Sequence, residues 1–269
     1  MTELCSLYSG SSGNCIYVGN DDSAILIDAG VSGNRILTAL NTAGKDISRI
    51  KAVFVSHEHG DHIKGAGIIS RKLGIPIYAN RLTWLNMRNQ IGKIAPEMQQ
   101  AIEYDGDTVH IGSLEIQAFS TPHDAADPQF YSVYDKDTKV TVCTDIGHIE
   151  EALYDKIKGS DAVLLESNHD VGMLQCGPYP YHLKQRIIGE LGHLSNDAAA
   201  ENVLRLAGDG TKHFILGHLS KENNYPDIVR MTTETALARG GIDINGDISL
   251  EVASREGPGR TVCISHANH

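Results

Sequence analysis

Four side chains suited to binding metals fall within six positions of this chain, in the run Ser56-His-Glu-His-Gly-Asp-His62. His57 and His59 are two residues apart, so in extended backbone both imidazoles point the same way. Asp61 and His62 follow a glycine. Three neutral nitrogens and one hard carboxylate suit Zn²⁺, Mn²⁺ or Fe²⁺, and the donor types alone do not choose among them. Glu58 faces away from the two histidines that flank it and reads as structural. A second carboxylate bears on the same chemistry. Asp28 closes Leu26-Ile-Asp-Ala-Gly30, whose other residues are apolar or small. A carboxylate there costs free energy unless paired, so Asp28 is expected to orient a ligand histidine or the metal loop from behind. An acidic cap on the next helix is the alternative.

The element that positions the motif is a buried strand. Ile50, Ala52, Val53, Phe54 and Val55 are apolar or β-branched, and the histidines follow at its end. Apolar periodicity from Ile63 to Leu73 predicts a helix, with Asp61 in the first turn, where an acid suits the positive helix end. Upstream, strands are expected at Leu4–Tyr8, Cys15–Val18 and Ala24–Asp28, then a helix from Gly33 to Ala43. The loop Ser9-Gly-Ser-Ser-Gly-Asn14 can aim several backbone N–H groups at one point, which would suit a phosphate. This makes Ser9, Ser11, Ser12 and Asn14 candidate substrate contacts, although a plain hairpin turn needs the same residues.

Downstream come a strand at Ile75–Ala79, a helix at Arg81–Ile91 and a polar stretch, Gly92–Gln100, read as a mobile surface insertion. Thr108–Ile111, Leu114–Ser120, Phe130–Tyr134 and Val140–Thr144 read as an antiparallel meander. Glu150–Ile157 is a short helix and Ala162–Leu165 a buried strand. Helices Tyr181–Leu191, Asn196–Leu206 and Pro226–Ala238 follow, with Ser195 as an N-cap and the strand His213–Leu216 before the last of them. Strands close the chain at Ile248–Val252 and Thr261–Ile264. Strands with helices, twice over, imply two packed sheets with helices outside, an α/β fold.

At 269 residues, 41% of them hydrophobic, the chain can bury a sizeable core as one domain spanning 1–269. A net charge of −11 argues against coating nucleic acid through a large basic surface, while bound divalent metals would offset that charge locally. No charged leader precedes an apolar stretch, and no apolar run approaches a membrane span. Five scattered cysteines without CxxC spacing fit a reduced cytoplasm.

The Ser-His-Glu-His-Gly-Asp-His run resembles the HxHxDH signature of the metallo-β-lactamase superfamily. That resemblance implies a four-layer αββα sandwich of mixed sheets with helices on both outer faces. It also implies a dinuclear centre: His57, His59 and His123 on one divalent ion, Asp61, His62 and His218 on the other, and Asp145 bridging them. Two such ions roughly 3.5–4 Å apart can share a hydroxide and clamp the attacking and leaving oxygens of a displacement.

Lactam, thioester, lactone and phosphodiester hydrolases share this motif, so other residues must separate them. Gly192-His-Leu-Ser-Asn196 resembles the additional histidine motif of the phosphodiesterase branch, which includes the tRNA 3′-processing nucleases. There His193, paired with Glu166, would serve the leaving oxygen or the scissile phosphate, with Asp61 alongside. Such a pair implies that His193→Ala and Glu166→Gln both leave the metals in place, Glu166→Gln costing the less activity. Lys184, Ser195 and Asn196 are further candidate substrate contacts. Arg186 lies two residues from Lys184, so the two cannot share one helix face. His148 and His169 lie near the expected site.

Together with the opening Ser-Gly-Ser-Ser-Gly-Asn and Tyr181-His-Leu-Lys-Gln-Arg186, these runs look like the YycJ (WalJ) exonuclease branch. The resemblance implies a 5′→3′ exonuclease on double-stranded DNA with a part in DNA repair, two Zn or Mn ions (or Fe), and no β-CASP insertion. A small-molecule hydrolase, such as a cyclic phosphodiesterase or lactonase, is the alternative within enzymes. A non-catalytic metal-binding fold-mate is the alternative outside them.

Overall fold

In a computed structural model, described over residues 1–265 apart from Tyr104 and Asn245, the apolar runs form two seven-stranded sheets packed face to face. The first half runs β1 (Thr2–Tyr8), β2 (Cys15–Gly19), β3 (Ala24–Ile27), α1 (Gly33–Thr42) and β4 (Ile50–Phe54). It continues with α2 (Gly60–Ile63), α3 (Ala66–Leu73), β5 (Ile77–Ala79), α4 (Arg81–Met87) and β6 (Gln99–Ala101). The second half holds β7 (Thr108–Ile111), β8 (Leu114–Ser120), β9 (Gln129–Asp135), β10 (Thr138–Cys143), α5 (Glu151–Ile157) and β11 (Ala162–Glu166). Then come α6 (Val171–Cys176), α7 (Tyr181–Ile188), α8 (Asn196–Gly208), β12 (His213–Gly217), α9 (Pro226–Arg239), β13 (Ser249–Val252) and β14 (Val262–Ile264).

Sheet order is β14-β1-β2-β3-β4-β5-β6 in one layer and β13-β12-β11-β10-β9-β8-β7 in the other. In both, antiparallel neighbours give way to parallel ones, from β3 to β6 and from β10 to β13. The layering follows from period-two side-chain alternation with apolar residues on both faces. Ile16, Val18, Ala52 and Phe54 point to the inter-sheet core, where they meet Tyr131, Val133, Val142 and Leu164. Their neighbours Cys15, Tyr17, Val53 and Val55 pack instead under Ile36, Leu40 and Ile69 of the helices. On the far side Val163, Leu165 and Phe214 pack under Leu153, Val203 and Leu237. The result is the αββα sandwich.

Several boundaries differ from expectation. The helix predicted from Ile63 to Leu73 is two, broken at Gly65, where a Cβ would stand 2.2 Å from the Val31 carbonyl oxygen and nothing larger than glycine fits. The Gly65 N–H instead reaches Ala29 O at 2.7 Å. The stretch Gly92–Gln100 is no free insertion, because its last residues begin edge strand β6, paired with β5. Helix α4 stops at Met87 and α7 at Ile188, each short of its predicted end, while α6 was not foreseen. Thr144 lies beyond β10, and Glu166 is the last residue of β11.

Candidate metal centre

The site lies where the carboxyl ends of β3, β4, β10, β11 and β12 converge, the place where open parallel sheets present their loops. Strand β4 feeds His57 and His59, and α2 carries Asp61 and His62. The carbonyls of Asp61 and His62 are tied by the N–H groups of Asn14 and Ala29, both at 2.8 Å. Gly30 lies against the same turn, where a Cβ would be 1.5 Å from Asp61 O.

Behind the loop, Asp28 is buried and accepts from Ser56 N (2.8 Å) and His62 Nδ1 (2.7 Å). Ser56 Oγ lies 2.9 Å from Asp28 Oδ2 and 2.9 Å from His57 Nδ1. With Ser56 donating to Asp28 and both Nδ1 atoms donating in turn, neutral His57 and His62 would each present Nε2 as the ligand atom for a metal. Asp28 is thus no helix cap; the N-cap of α1 is Ser32. Nothing in the sequence marked Ser56 as the relay.

The other sheet supplies the facing half. His123 follows β8, and its Nδ1 is held by the Gly192 carbonyl at 3.1 Å. Asp145 follows β10 and His218 follows β12. Asp145 Oδ2 lies 3.1 Å from His62 Nε2, and Asp145 Oδ1 lies 3.5 Å from His123 Nε2 and 3.6 Å from His218 Nε2. Asp61 Oδ2 is 3.7 Å from both His62 Nε2 and His218 Nε2. Asp28, Asp145 and His218 have φ of +60°, +59° and +55°, the left-handed region that costs a side-chain-bearing residue of order 1 kcal/mol or more. Each turns the chain sharply at a strand end and so aims its side chain across the seam.

Glu166 does more than pair with His193. It is fully buried; Oε1 accepts from Nδ1 of both His193 and His218 at 2.7 Å, and Oε2 from the N–H groups of Ile146 (2.8 Å) and Leu194 (3.3 Å). Burial alone would raise its pKa, but His193 and His218 bring it down to about 2. The same balance raises His193 above the ordinary imidazole value and His218 to about 10, the carboxylates outweighing burial. Burial, with His62 beside it, pushes His57 well below that value.

The donor set fits divalent cations. His57, His59 and His123 converge within 4.8 Å, as do Asp61, His62 and His218, with Asp145 near both groups. His123 Nε2, Asp145 Oδ2 and His218 Nε2 are buried with no hydrogen-bond partner, which is costly unless something positive sits between them. A cavity of about 350 Å³ opens over the cluster, and Ser11, Arg186 and His193 also line it.

The remaining candidates divide. Ser9 and Asn14 are buried: Ser9 Oγ accepts from His218 N at 2.8 Å, and Asn14 Nδ2 stands 3.1 Å from His62 Nε2. The N–H groups of Ser9, Gly10, Ser11, Gly13 and Asn14 all bond within the protein, which favours the plain turn over the phosphate nest that the same residues allowed. Ser11 and Ser12 are exposed. Ser195 caps α8, and buried Asn196 bonds Ser167 and Asn224, so both are used within the fold. Lys184 turns from the cavity to the Gln175 carbonyl, and Arg186, paired with Asp124, is the cation that faces it. Glu58 accepts from Ala126 N and pins the His123 loop. His169 is buried beneath Ser195, and half-exposed His148 bonds Glu190 O.

Comparison with known proteins agrees with this geometry. The family model described as the metallo-beta-lactamase superfamily matches residues 8–218. The chain is 40% identical over 238 residues to an exodeoxyribonuclease YycJ of Bacillus anthracis, covering 88% of this chain and 90% of that one. It is 39% identical over 246 residues to an exodeoxyribonuclease WalJ of Streptococcus pneumoniae, covering 91% of each. Among solved structures, the metallo-beta-lactamase fold protein YhfI of Bacillus subtilis superposes with a TM-score of 0.69 at 14% identity, covering 96% of this chain and 99% of that one.

Proposed function

The chain belongs to the metallo-β-lactamase superfamily, and on that premise we propose that it is a metal-dependent phosphodiester hydrolase acting on DNA as an exodeoxyribonuclease. The observation that carries the reading is the Glu166–His193 pair beside the metal cluster. The His193 ring centroid is 5.0 Å from that of His123 and 5.3 Å from that of His218. With Nδ1 committed to Glu166, His193 keeps Nε2 for the cavity, where no described residue bonds it. Glu166 and Asp145 outweigh burial and raise its pKa above the ordinary imidazole value, which favours the form that can hand a proton to a departing ester oxygen.

His57, His59 and His123 would hold one divalent ion and Asp61, His62 and His218 the other, with Asp145 shared. A pair of ions bound there would draw charge from the phosphoryl oxygens and supply a nucleophile at neutral pH. Arg186, fixed by Asp124, is placed to meet a phosphate oxygen at the rim. We read residues 1–269 as one catalytic domain, since the two halves share the inter-sheet core. The chain between Asp145 and His218 is taken up by α5 to α8, β11 and β12, with no inserted cap. No helix among the described residues is long and apolar enough to cross a membrane.

The test is to incubate protein loaded with Zn²⁺ or Mn²⁺ with duplex DNA labelled at either 5′ or 3′ ends, with single strands, and with bis(p-nitrophenyl) phosphate. Mononucleotide release from duplex ends, starting at the 5′ end, is expected. Hydrolysis of the small diester with no nucleotide released from any strand would overturn the nuclease reading and favour a small phosphodiester as substrate.

A further inference from the structure

In an acidic protein the charge is distributed unevenly. Residues 62–96 contain six Lys or Arg (Lys64, Arg71, Lys72, Arg81, Arg88 and Lys93) and no Asp or Glu. Those six charges leave a balance of −17 on the rest of a chain whose total is −11. Elsewhere acids are interspersed among the cations, and Lys45, Arg49, Lys158, Arg186, Arg205, Arg230 and Arg239 each pair with a carboxylate. Among the described residues none of the six in this segment forms an ion pair, and all six are exposed. Only Arg71 is used internally, donating to the carbonyls of Ile91 (3.0 Å) and Lys93 (3.2 Å), which holds the turn after α4 against the end of α3.

This segment begins at the metal motif, and a groove joins the two. About 540 Å³ in volume, it is lined by Ser11, Ser12, Gly60, Asp61, Lys64 and Gln90. It shares Ser11, Gly60 and Asp61 with the cavity over the metal cluster. A path therefore leads from the reacting centre, between the Ser/Gly loop and α2, to Lys64, the first of these exposed cations. We propose that this groove and the α2–α4 face beyond it form the track that grips the sugar–phosphate backbone of a nucleic acid strand whose end lies at the metal centre. Lys64 makes the nearest phosphate contact, and Arg88 and Lys93 make more distant ones. The negative remainder of the surface repels the same polymer and so confines its approach to this face. The assignment rests on the nuclease reading above and adds to it the binding surface of a polymeric substrate, which a cavity of about 350 Å³ could not itself hold.

The test compares wild type with a Lys64→Glu, Arg88→Glu, Lys93→Glu triple variant, none of whose positions lies in the metal cluster. For blunt duplex DNA, kcat/KM is measured across a range of salt concentrations; for bis(p-nitrophenyl) phosphate, at one. The expected result is at least a tenfold loss on duplex and unchanged turnover of the small diester. The slope of log(kcat/KM) against log[salt] should also shrink by roughly 0.9 for each phosphate contact removed. Wild-type duplex kinetics and salt slope in the triple variant would overturn the proposal, and so would equal loss on both substrates, which would make these cations part of the metal centre. If wild type cleaves the small diester but no nucleic acid, the nuclease reading falls. The track is then judged by fluorescence anisotropy of labelled duplex, where salt-sensitive binding lost in the triple variant supports it and no binding overturns it. Polyglutamate competing as well as DNA would make the face a dock for acidic protein and overturn the nucleic acid assignment.

Discussion

Replacing Glu166 by Gln changes one atom and one charge, yet it should harm stability or metal binding more than removing the His193 side chain does. Four donors converge on this carboxylate: two imidazole Nδ1 atoms on Oε1 and two backbone N–H groups on Oε2. An amide has only one accepting end. If its NH₂ turns to Ile146 and Leu194, donors face donors in a fully buried place, at roughly 1–3 kcal/mol for each stranded group. The strain falls next to Asp145. If the NH₂ turns to the imidazoles, His218 must accept at Nδ1 and carry its proton on Nε2, the atom meant for a metal. Losing such an outer partner typically costs 10–100-fold in metal affinity. Glu166→Gln should therefore lose about 2–6 kcal/mol of stability by the first route, or at least tenfold in affinity for one of two metals by the second. His193→Ala should retain both ions. Sequence alone suggested no such cost in metal or stability for Glu166→Gln, because the second histidine on Glu166 was invisible there. Metal content after dialysis against a graded chelator, with thermal melting alongside, separates the routes. A Glu166→Gln protein with wild-type melting and both ions retained would refute the four-donor argument.

His193→Ala should lower kcat on duplex by roughly 10²–10⁴-fold, and a diester with a nitrophenolate leaving group should regain much of that, since it departs without a proton; equal loss on both would leave His193 a phosphate grip rather than an acid. In metal-free protein His218 is raised to about 10, burial being outweighed by Asp145, Asp61 and Glu166. Because the folded value lies above the unfolded one, its contribution to stability is whole below about pH 6.5 and fades as pH rises towards about 10. Metal affinity should climb over the same interval as that proton leaves. A melting temperature flat from pH 6.5 to 10 in chelator would count against it. Asp28→Asn keeps the left-handed backbone that asparagine tolerates but removes the charge behind His62. It should weaken metal binding roughly 10–100-fold without unfolding the protein, as calorimetric titration would show. Gly30→Ala should displace the Asp61 turn and abolish binding of the ion held by Asp61, His62 and His218, and spectroscopy of the Co²⁺-substituted protein that shows an intact pair of ions would contradict this.

What could be read from the chain before folding depended on whether the signal was local. The two-sheet α/β order was legible because β2, β3, β4 and β11 are short apolar runs bounded by turns, and the histidines stand at fixed steps beyond one of them. Residues that act through tertiary contact left no such mark. Ser56 precedes the motif as an ordinary serine, and its role exists only because Asp28 arrives from another strand. The Ser/Gly loop had the composition of a phosphate nest, but the N–H groups of Ser9, Ser11 and Asn14 are spent on Ser254, Leu219 and Asp61 carbonyls from distant chain, and those of Gly10 and Gly13 within the loop. Helix periodicity ruled out a shared face for Lys184 and Arg186, yet could not say which one looked inward. Gly65 broke a predicted helix because Val31 passes too close, a fact about packing rather than propensity.

Each half of the sandwich brings only part of the centre. His57, His59, Asp61 and His62 hang from the first sheet, and His123, Asp145 and His218 from the second. Ions held between them are rivets through a seam, and neither half can offer a finished socket alone. A complete donor set would therefore exist only once the two sheets have met. Metal bound there would favour the joined layers by mass action, so the stability of the folded chain, and not only its chemistry, would follow the free metal around it.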